Sequence, residues 1–315
     1  MLTDNIFSEN EITAANISAL SEEQSLTYEK RLCEIAALAE DAANTAISLN
    51  SEGLGIYEIL ELISEGITLS YSSERDDALV GNRTRIASYF SAVSAYDRAA
   101  FSEMLCERLG GGICETDFLL TEDGDESIVY VKNALADEAY DVFSQELSNP
   151  TVSYKNTFRE AARAVADGSA EYCILPLEER GGSRLSGIAA ILFSEDLKIN
   201  SVTPVFGYDG SADMKYALVS KHFSVPEIND GDDRYLEIRL RADSALALSD
   251  LFSASEMLGV SVYRVNTISF TTEDGEIAHY SVVFKNTERD FSSLLTFLTL
   301  FSGAYTAVGI YKNLE

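Results

Sequence analysis

The clearest indication of the fold class is the stretch VSYKNTFREAARAVADGSAEYCILPLEERGGSRLSGIAAILFSEDLKI, residues 152–199. Apolar residues recur at helical spacing over 158–165, and a short apolar run follows over 172–177. That run leads through a proline into the acidic pair Glu178 and Glu179 and then into two glycines. A buried strand that opens onto a glycine-rich turn is how α/β proteins build ligand sites at the carboxyl ends of strands. We therefore expect an α/β unit with a site at this turn.

Strands and helices alternate on both sides of this stretch. The pattern predicts helices at 137–147, 157–167 and 183–194, set between strands at 128–132, 151–154, 172–177 and 198–205. A further strand at 215–220 is expected to return to the same sheet. Such alternation is typical of a mostly parallel sheet with helices packed on it. The sequence thus predicts an α/β domain over residues 127–223.

Residues 235–315 show a different order of predicted helices and strands. The pattern predicts helices at 244–258 and 290–301 and strands at 235–242, 260–271, 276–285 and 304–312. The order βαββαβ is the ferredoxin-like arrangement, and Glu273-Asp274-Gly275 fits a hairpin between its two middle strands. We predict an α+β domain here, joined to the α/β domain by the charged segment 224–234.

The N-terminal third is predicted to be helical. Residues 1–20 are polar and are expected to be flexible, whereas residues 21–112 carry apolar residues at helical spacing and predict a helical bundle domain. An alanine-rich stripe on the first helix, within 36–46, implies a closely packed neighbouring helix. The arginines of this region are Arg75, Arg83, Arg85, Arg98 and Arg108.

The chain is strongly acidic, with 52 acidic and 23 basic residues and a formal charge of −29. Such a surface repels nucleic-acid phosphates and anionic membranes, so we exclude both as partners. An anionic substrate would need a local cluster of arginine or lysine against this field. The acidic N-terminus lacks the pattern of a signal peptide and no apolar run is long enough to span a bilayer, so a cytoplasmic location is expected.

Metal and cofactor chemistry are not predicted. The cysteines show no C-x-x-C spacing, and Cys33, Cys106 and Cys173 are expected to be buried free thiols of a reducing compartment. The two histidines, His222 and His279, are far apart in sequence and are expected on the surface at strand ends. This distribution disfavours a histidine-based metal site and a Ser-His-Asp triad.

The central motif resembles that of the prephenate dehydratase family. The run AVADGSAEYCILPLE, residues 164–178, followed by Gly182 is similar to that family's helix ending in AV..G.AD and its strand reading LPIENS..G. An α/β domain followed by a βαββαβ module also resembles a prephenate dehydratase with its regulatory ACT domain. The resemblance covers residues 127–315. It implies an ACT-type domain that binds phenylalanine and forms a homodimer through its sheet.

The chain departs from the family at the catalytic motif. Met214, Lys215 and Tyr216 stand where the family has Thr-Arg-Phe. A thioether can neither donate a proton nor hydrogen-bond strongly. Lys215 keeps a positive charge but lacks the bidentate fork with which arginine holds a carboxylate.

Other family features are changed or shortened. Glu179 and Arg180 stand where the family has Asn and Ser, and residues 132–136 lack the glycines of the family's opening loop. The segment between 198 and 215 leaves room for only a short loop, so the second lobe of the family's catalytic domain is expected to be missing. In the ACT-like part, Ser244-Ala245-Leu246 replaces Gly-Ala-Leu, and residues 266–269 replace Glu-Ser-Arg-Pro.

The candidate ligand-binding residues are those that occupy these family positions. They are Glu178, Glu179, Arg180, Gly182, Lys215, Ser244, Ala245, Leu246 and Asn266. Each also has a structural interpretation. Adjacent strand residues point to opposite faces, so Glu178 and Glu179 are expected at a solvated strand end rather than as an acid/base pair. Arg180 and Arg184 can receive a carboxylate, but pairing with surface acids is expected to be their usual role.

Three functions remain open at this point. The favoured hypothesis is a degenerate relative of prephenate dehydratase that acts without catalysis as an amino-acid sensor or scaffold. The alternative is an active prephenate dehydratase, a lyase, or another shikimate-pathway enzyme of phenylalanine biosynthesis. In that case the helical bundle replaces the missing lobe, and Arg83, Arg85 or Arg98 faces Arg180 and Lys215. The third is a structural protein that binds another chain.

Overall fold

The computed structural model describes most of the chain from Glu22 onwards, with several gaps. The described ranges are 22–51, 53–68, 93–109, 114–119, 126–179, 182–206, 212–227, 231–244, 246–272, 275–287, 290–302 and 305–314. The expectations for residues 1–20, Arg75, Arg83, Arg85, Arg180, Ala245 and the hairpin turn at Glu273-Asp274 lie outside these ranges.

Three helices form the N-terminal part: α1 (Glu22–Ser51), α2 (Ile56–Thr68) and α3 (Ala95–Arg108). The alanine stripe of α1 is buried, and with Ile35 and Phe101 it forms the core of this part. Ser94 begins α3 with a capping box, because its side chain accepts from the Asp97 amide while the Asp97 carboxylate accepts from the Ser94 amide. Cys33 is exposed, contrary to expectation, because its side of α1 faces solvent.

The central α/β part follows the predicted alternation. Its strands are β1 (Ser127–Tyr130), β2 (Thr151–Tyr154), β3 (Tyr172–Glu179), β4 (Lys198–Phe206) and β5 (Ala212–Ser220). Its helices are α4 (Ala134–Phe143), α5 (Phe158–Ala166) and α6 (Ser186–Ser194). The strand order is β2-β1-β3-β5-β4, in which β5 alone runs antiparallel to its neighbours. The predicted α/β class, a sheet with helices packed on it, is confirmed, and the sheet is mixed, with two parallel and two antiparallel pairings.

The C-terminal part has the predicted βαββαβ order. It comprises β6 (Arg234–Arg241), α7 (Leu248–Met257), β7 (Ser261–Thr272), β8 (Gly275–Asn286), α8 (Ser292–Phe301) and β9 (Thr306–Lys312). The strand order is β9-β6-β8-β7, and every pairing within it is antiparallel. Helices α7 and α8 cover one face of this sheet, with a core that includes Leu236, Phe284 and Phe297.

The two sheets are joined into one sheet of nine strands, order β2-β1-β3-β5-β4-β9-β6-β8-β7. The join is the parallel contact of β4 with β9, where Ile199 pairs with Gly309. A Cβ atom on Gly309 would lie 2.7 Å from the Ile199 Cβ and 2.8 Å from the Ile199 carbonyl oxygen. Only glycine allows the strands to approach this closely, so this residue makes the single sheet possible.

The joined sheet curls strongly. In a flat sheet β3 and β7, six strands apart in the order, would be separated by roughly 29 Å. Instead, Arg264 on β7 forms an ion pair with Glu178 on β3, and α6 packs against both strands. The seven strands from β3 to β7 therefore enclose a concave face, which we call the open barrel.

The helical bundle packs on the opposite, convex side. Helix α3 packs against α7 and α8, and α2 packs against α8. A buried ion pair, Arg234 to Glu115 at 2.5 Å, anchors the segment that follows α3 to the start of β6, and Glu115 also accepts a hydrogen bond from the Phe291 amide at 2.8 Å. Burial raises the pKa of Glu115, although Arg234 and the Phe291 amide partly offset this.

Candidate functional site

A small pocket lies inside the open barrel, where the α/β part meets the C-terminal part. The volume between its walls is about 260 Å³ when the open solvent at its mouth is included, but only about 10 Å³ of it is free for a water-sized atom. We call it the junction pocket. Each of the seven strands contributes to its wall. The lining residues are Leu177, Glu178, Val202, Lys215, Tyr235, Tyr263, Arg264, Val283, Tyr311 and Asn313.

Glu178 enters the pocket because of an irregularity in β3. Pro176 pairs with Tyr216 and Glu178 pairs with Lys215, so β3 has one extra residue at this point, a β-bulge. The bulge turns Leu177 and Glu178 towards the same side of the sheet. Glu178 is 5% exposed, so the expectation of a solvated strand end is wrong for it, whereas Glu179 is exposed.

Three cations surround the Glu178 carboxylate. Arg264 donates a hydrogen bond to Oε1, an Arg184 nitrogen lies 3.6 Å from the same oxygen, and the Lys215 ammonium lies 3.9 Å from Oε2. Oε2 is buried and accepts no hydrogen bond. Oε1 is therefore hydrogen-bonded, whereas Oε2 has the Lys215 charge beside it but no hydrogen bond.

Arg184 is fully enclosed and is not a surface residue, which corrects the expectation for it. Its side chain is 5% exposed and donates to Glu237, whose other oxygen accepts a hydrogen bond from the Ser281 hydroxyl at 2.9 Å. Burial lowers the pKa of Arg184. The corresponding effect of burial on Arg264 is outweighed by the hydrogen bond and charge of Glu178, and the pKa of Arg264 is raised.

Three tyrosines form the aromatic wall of the pocket. The ring of Tyr235 stacks on that of Tyr311 at a centroid distance of 5.6 Å and meets the Tyr263 ring edge-on at 5.2 Å. Burial is the main cause that raises the pKa of both Tyr235 and Tyr311 to about 12. Both hydroxyls thus stay protonated near neutral pH and cannot serve as general bases there.

Gly182 lies directly beside the arginine of β7. It has a φ of 82°, and a Cβ atom at this position would lie 3.3 Å from an Arg264 guanidinium nitrogen. The glycine that the family motif retains thus makes room for a side chain from the C-terminal part.

The Met214-Lys215-Tyr216 run is divided between the two faces of the sheet. Lys215 points into the open barrel, whereas Met214 and Tyr216 pack on the opposite face against the core of α4. Tyr216 is hydrogen-bonded to Asn133 there, and burial raises its pKa. Of the three residues, Lys215 alone reaches the junction pocket.

The candidate residues of the C-terminal part are not brought together. Ser244 donates a hydrogen bond to the Ser302 carbonyl at 3.2 Å, and Leu246 is buried in the core beneath α7 and α8. Asn266 pairs with Ser281 and so lies on the other face, inside the open barrel. A single ligand cannot contact Ser244 and Asn266 across the sheet.

The histidines differ from expectation. His279 lies within β8 and is 8% exposed. It pairs with Arg241 on β6 and with Ile268 on β7, so it is buried inside the sheet and not at a strand end. His222 is half-buried. Strand β8 is central in the C-terminal sheet, and the α/β part covers its second face, which explains the burial of His279.

The helical bundle does not form a wall of the pocket in the part of the chain described. Arg98 lies over the Phe301 ring at 5.9 Å and 4.0 Å from Asp250, on the convex side of the sheet. Arg108 forms an ion pair with Glu40 within the bundle. The expectation that Arg98 faces Lys215 is therefore wrong.

Sequence reasoning missed Arg264, Glu237 and the tyrosine wall. The signal for Glu237 was available, because Glu237, Arg239 and Arg241 stand at alternate positions of β6. Such alternation normally indicates a solvated face. Here Glu237 and Arg239 are buried, since the α/β part covers them.

The described ranges contain neither a group of metal-ligating side chains nor a membrane-spanning helix. Within them, no three histidine, cysteine or acidic side chains are grouped so that they could hold a metal ion. Likewise, none of the helices described has both the length and the apolarity that crossing a bilayer requires.

Comparison with known proteins gives structural similarities only. A scan against family models and a search of curated proteins find no match. Among solved structures, a prephenate dehydratase from Streptococcus mutans is 13% identical, with a TM-score of 0.49, over 60% of this chain and 99% of that one. GqqA, described as a novel type of quorum quenching acylase, is 19% identical, with a TM-score of 0.44, over 60% and 96%. A prephenate dehydratase from Arthrobacter aurescens in complex with L-Phe is 13% identical, with a TM-score of 0.42, over 59% and 89%.

Proposed function

We propose that this protein binds a free amino acid, or a closely related small carboxylate, in the junction pocket without transforming it. The observation that carries the proposal is the pairing of opposite charges at the pocket wall. Lys215 and Arg264 present positive charge, and Oε2 of Glu178, which has Lys215 at 3.9 Å but no hydrogen bond, presents an acceptor. Although the net charge of the chain is −29, basic side chains are concentrated at this pocket, where they oppose the negative potential of the rest of the protein.

The two charges match the two ends of an amino acid. The ligand carboxylate is held by Lys215 and Arg264, since hydrogen bonds between ionised groups are the strongest available to it. The ligand ammonium donates to Glu178 Oε2, which supplies the partner that this buried oxygen lacks. The wall of Tyr235, Tyr263 and Tyr311 receives the ligand side chain.

The size of the pocket favours a small ligand. Much of its 260 Å³ is open solvent, and the space free for a water-sized atom is about 10 Å³, roughly the room that one water molecule needs. A sheet closed by about eight strands has an interior that side chains nearly fill. An amino acid therefore enters only when a side chain of the wall moves aside, and the exposed Tyr263 is the lining tyrosine free to do so.

The same residues argue against turnover. The family's hydroxyl position is occupied by Met214, which points away from the pocket. The tyrosine hydroxyls remain protonated, with pKa values of about 12 for Tyr235 and Tyr311. Glu178, the one carboxylate lining the pocket among the residues described, is committed to an ion pair with Arg264. We therefore favour a sensor descended from an enzyme of the prephenate dehydratase type, a relationship that rests on the motif at 164–178.

Calorimetry of the purified protein with L-phenylalanine, L-tyrosine, L-alanine and prephenate tests binding. At least one of the amino acids is expected to bind, and Lys215→Met is expected to weaken it about tenfold or more, the effect of losing one hydrogen bond between charged groups. Lys221→Met removes the same charge from an exposed position outside the pocket and is the matched control. Equal loss in both variants would show that general charge, and not the pocket, sets the affinity.

The absence of catalysis is tested separately. Purified protein incubated with prephenate is expected to form no phenylpyruvate above the uncatalysed rate. Turnover that Lys215→Met abolishes would overturn the non-catalytic assignment and restore the enzyme hypothesis.

A further inference from the structure

A second group of charged side chains lies deeper in the open barrel, beyond the junction pocket. Asn266, Ser281 and Arg239 form one row across β7, β8 and β6, because Ser281 pairs with Asn266 on one side and with Arg239 on the other. Glu237 lies two residues from Arg239 on the same face and binds Arg184. We call these five residues the polar layer.

Three donors of the polar layer have no acceptor. They are Nη1 of Arg184, Nε of Arg239 and Nδ2 of Asn266, and each atom is buried; Nη1 of Arg184 has the charge of Glu178 at 3.6 Å but no hydrogen bond. Buried polar atoms in folded proteins are nearly always hydrogen-bonded, so an unsatisfied one calls for an unseen water or ion. Arg239 and Asn266 lie on one face of the sheet and Arg184 reaches that face from the segment before α6, so one small acceptor between them would satisfy all three.

The charge of the polar layer is also unbalanced. It contains two arginines and one glutamate, and both arginines are more than nine-tenths buried. The other acid near Arg184 is Glu178, whose charge is already shared with Arg264 and Lys215. Arg239 lies over the rings of Phe193 and Phe270 at 5.0 and 5.3 Å, which offsets only part of the cost of removing a guanidinium from water. Asp196, the acid whose charge acts on Arg239, has a side chain that is 81% exposed.

We propose that the polar layer binds one small monovalent anion, such as chloride, between Arg184, Arg239 and Asn266. Water could satisfy the hydrogen bonds but would leave the net positive charge uncompensated. An anion supplies both the acceptor and the missing charge. This site adjoins the amino-acid site through the Arg184–Glu178 ion pair, but none of its residues lines the junction pocket, so the two can be tested separately.

The test is the thermal midpoint of the full-length protein as sodium gluconate is exchanged for sodium chloride at constant ionic strength. Constant ionic strength holds general screening fixed, so that only specific binding changes the midpoint. Chloride is expected to raise the midpoint by about 2–4 °C, because a ligand that binds only the folded state stabilises it. Arg239→Gln is expected to abolish this rise, whereas Arg163→Gln, at an exposed arginine of α5, is expected to keep it.

A second measurement applies if Arg239→Gln does not fold. Crystals of wild-type protein soaked in bromide are expected to show an anomalous peak between Arg184, Arg239 and Asn266. A midpoint that is the same in both salts, or density for water with no anomalous signal, would overturn the proposal. A chloride effect that persists unchanged in a folded Arg239→Gln would do the same, since it would place the anion elsewhere.

Discussion

Single residues decide how the two parts of this protein meet. Gly309 is one, because its lack of a side chain lets β9 lie against Ile199. Pro176 is another, because proline cannot donate to a strand ladder and tends to occur at bulges. The bulge beside it turns Glu178 inward. Neither residue contacts a ligand, yet both set the geometry of the pocket.

Gly309→Ala is expected to destabilise the protein by about 1–3 kcal/mol or more, the usual cost of overpacking a filled interior. The new Cβ atom would overlap both a side-chain and a backbone atom of Ile199. The measurement is the free energy of unfolding in urea. Gly187→Ala is the matched control, because nothing lies within 4 Å of that position in α6. Since alanine favours helix over glycine by roughly 1 kcal/mol, this control should be neutral or stabilising.

His279 is expected to make the fold sensitive to mild acid. Burial is the main cause that lowers the pKa of His279, and the charge of Arg239 lowers it further. Arg241 and Asp243 exert smaller and opposed effects. The folded protein therefore favours the neutral ring. The unfolded chain takes up a proton near pH ~6.5, and stability is therefore lost as the pH falls below that value. Midpoints measured from pH 7.5 to 5.5 should fall less for His279→Gln than for wild type. A parallel fall in both proteins would show that carboxylates and not His279 control the acid response.

At the level of elements, periodicity predicted type and order well. The strand at 151–154 was predicted to the residue, and the βαββαβ order over 235–315 is confirmed. The ends of the helices differ from the predicted ends by several residues. Helix α4 was predicted to begin at 137 but begins at Ala134, because Asn133 caps it. Sequence could not show that the polar face of β6 is buried, since that depends on packing between parts distant in the chain.

Strand β7 is expected to be a site of self-association. It is twelve residues long, lies at the edge of the sheet and contains no acidic residue, although the chain as a whole is acidic. Long edge strands with few charges pair readily with another copy, and the one charge of β7, on Arg264, is taken up by Glu178. Light scattering of the purified protein should show a dimer, and the double variant Val265→Lys with Thr267→Lys, at two exposed positions, should shift it to monomer. A dimer that survives these substitutions would place the interface elsewhere.

At the scale of the whole molecule, the site could be predicted only in part. Glu178, Gly182 and Lys215 were identified from the motif resemblance, and the structure places them at one junction. Arg264 and the tyrosine wall could not be identified, because nothing in the sequence indicates that the C-terminal sheet curls back onto β3. Conversely, Leu246 belongs to the core on the far side of that sheet, and Ser244 donates a hydrogen bond to the Ser302 carbonyl there.

The curled sheet has a consequence for dissecting the protein. Of the seven strands around the pocket, β3, β4 and β5 precede the linker near 228 and β6 to β9 follow it. A fragment ending there would expose the hydrogen-bonding edge of β4 and the apolar interior that Tyr311 and Val283 normally seal. We expect neither half to be soluble when expressed alone, but co-expression of 1–227 with 228–315 to recover the native circular dichroism spectrum. Replacing residues 228–315 with a foreign regulatory module would remove four of the seven strands that surround the pocket. Any response to a ligand of that pocket would be lost with them.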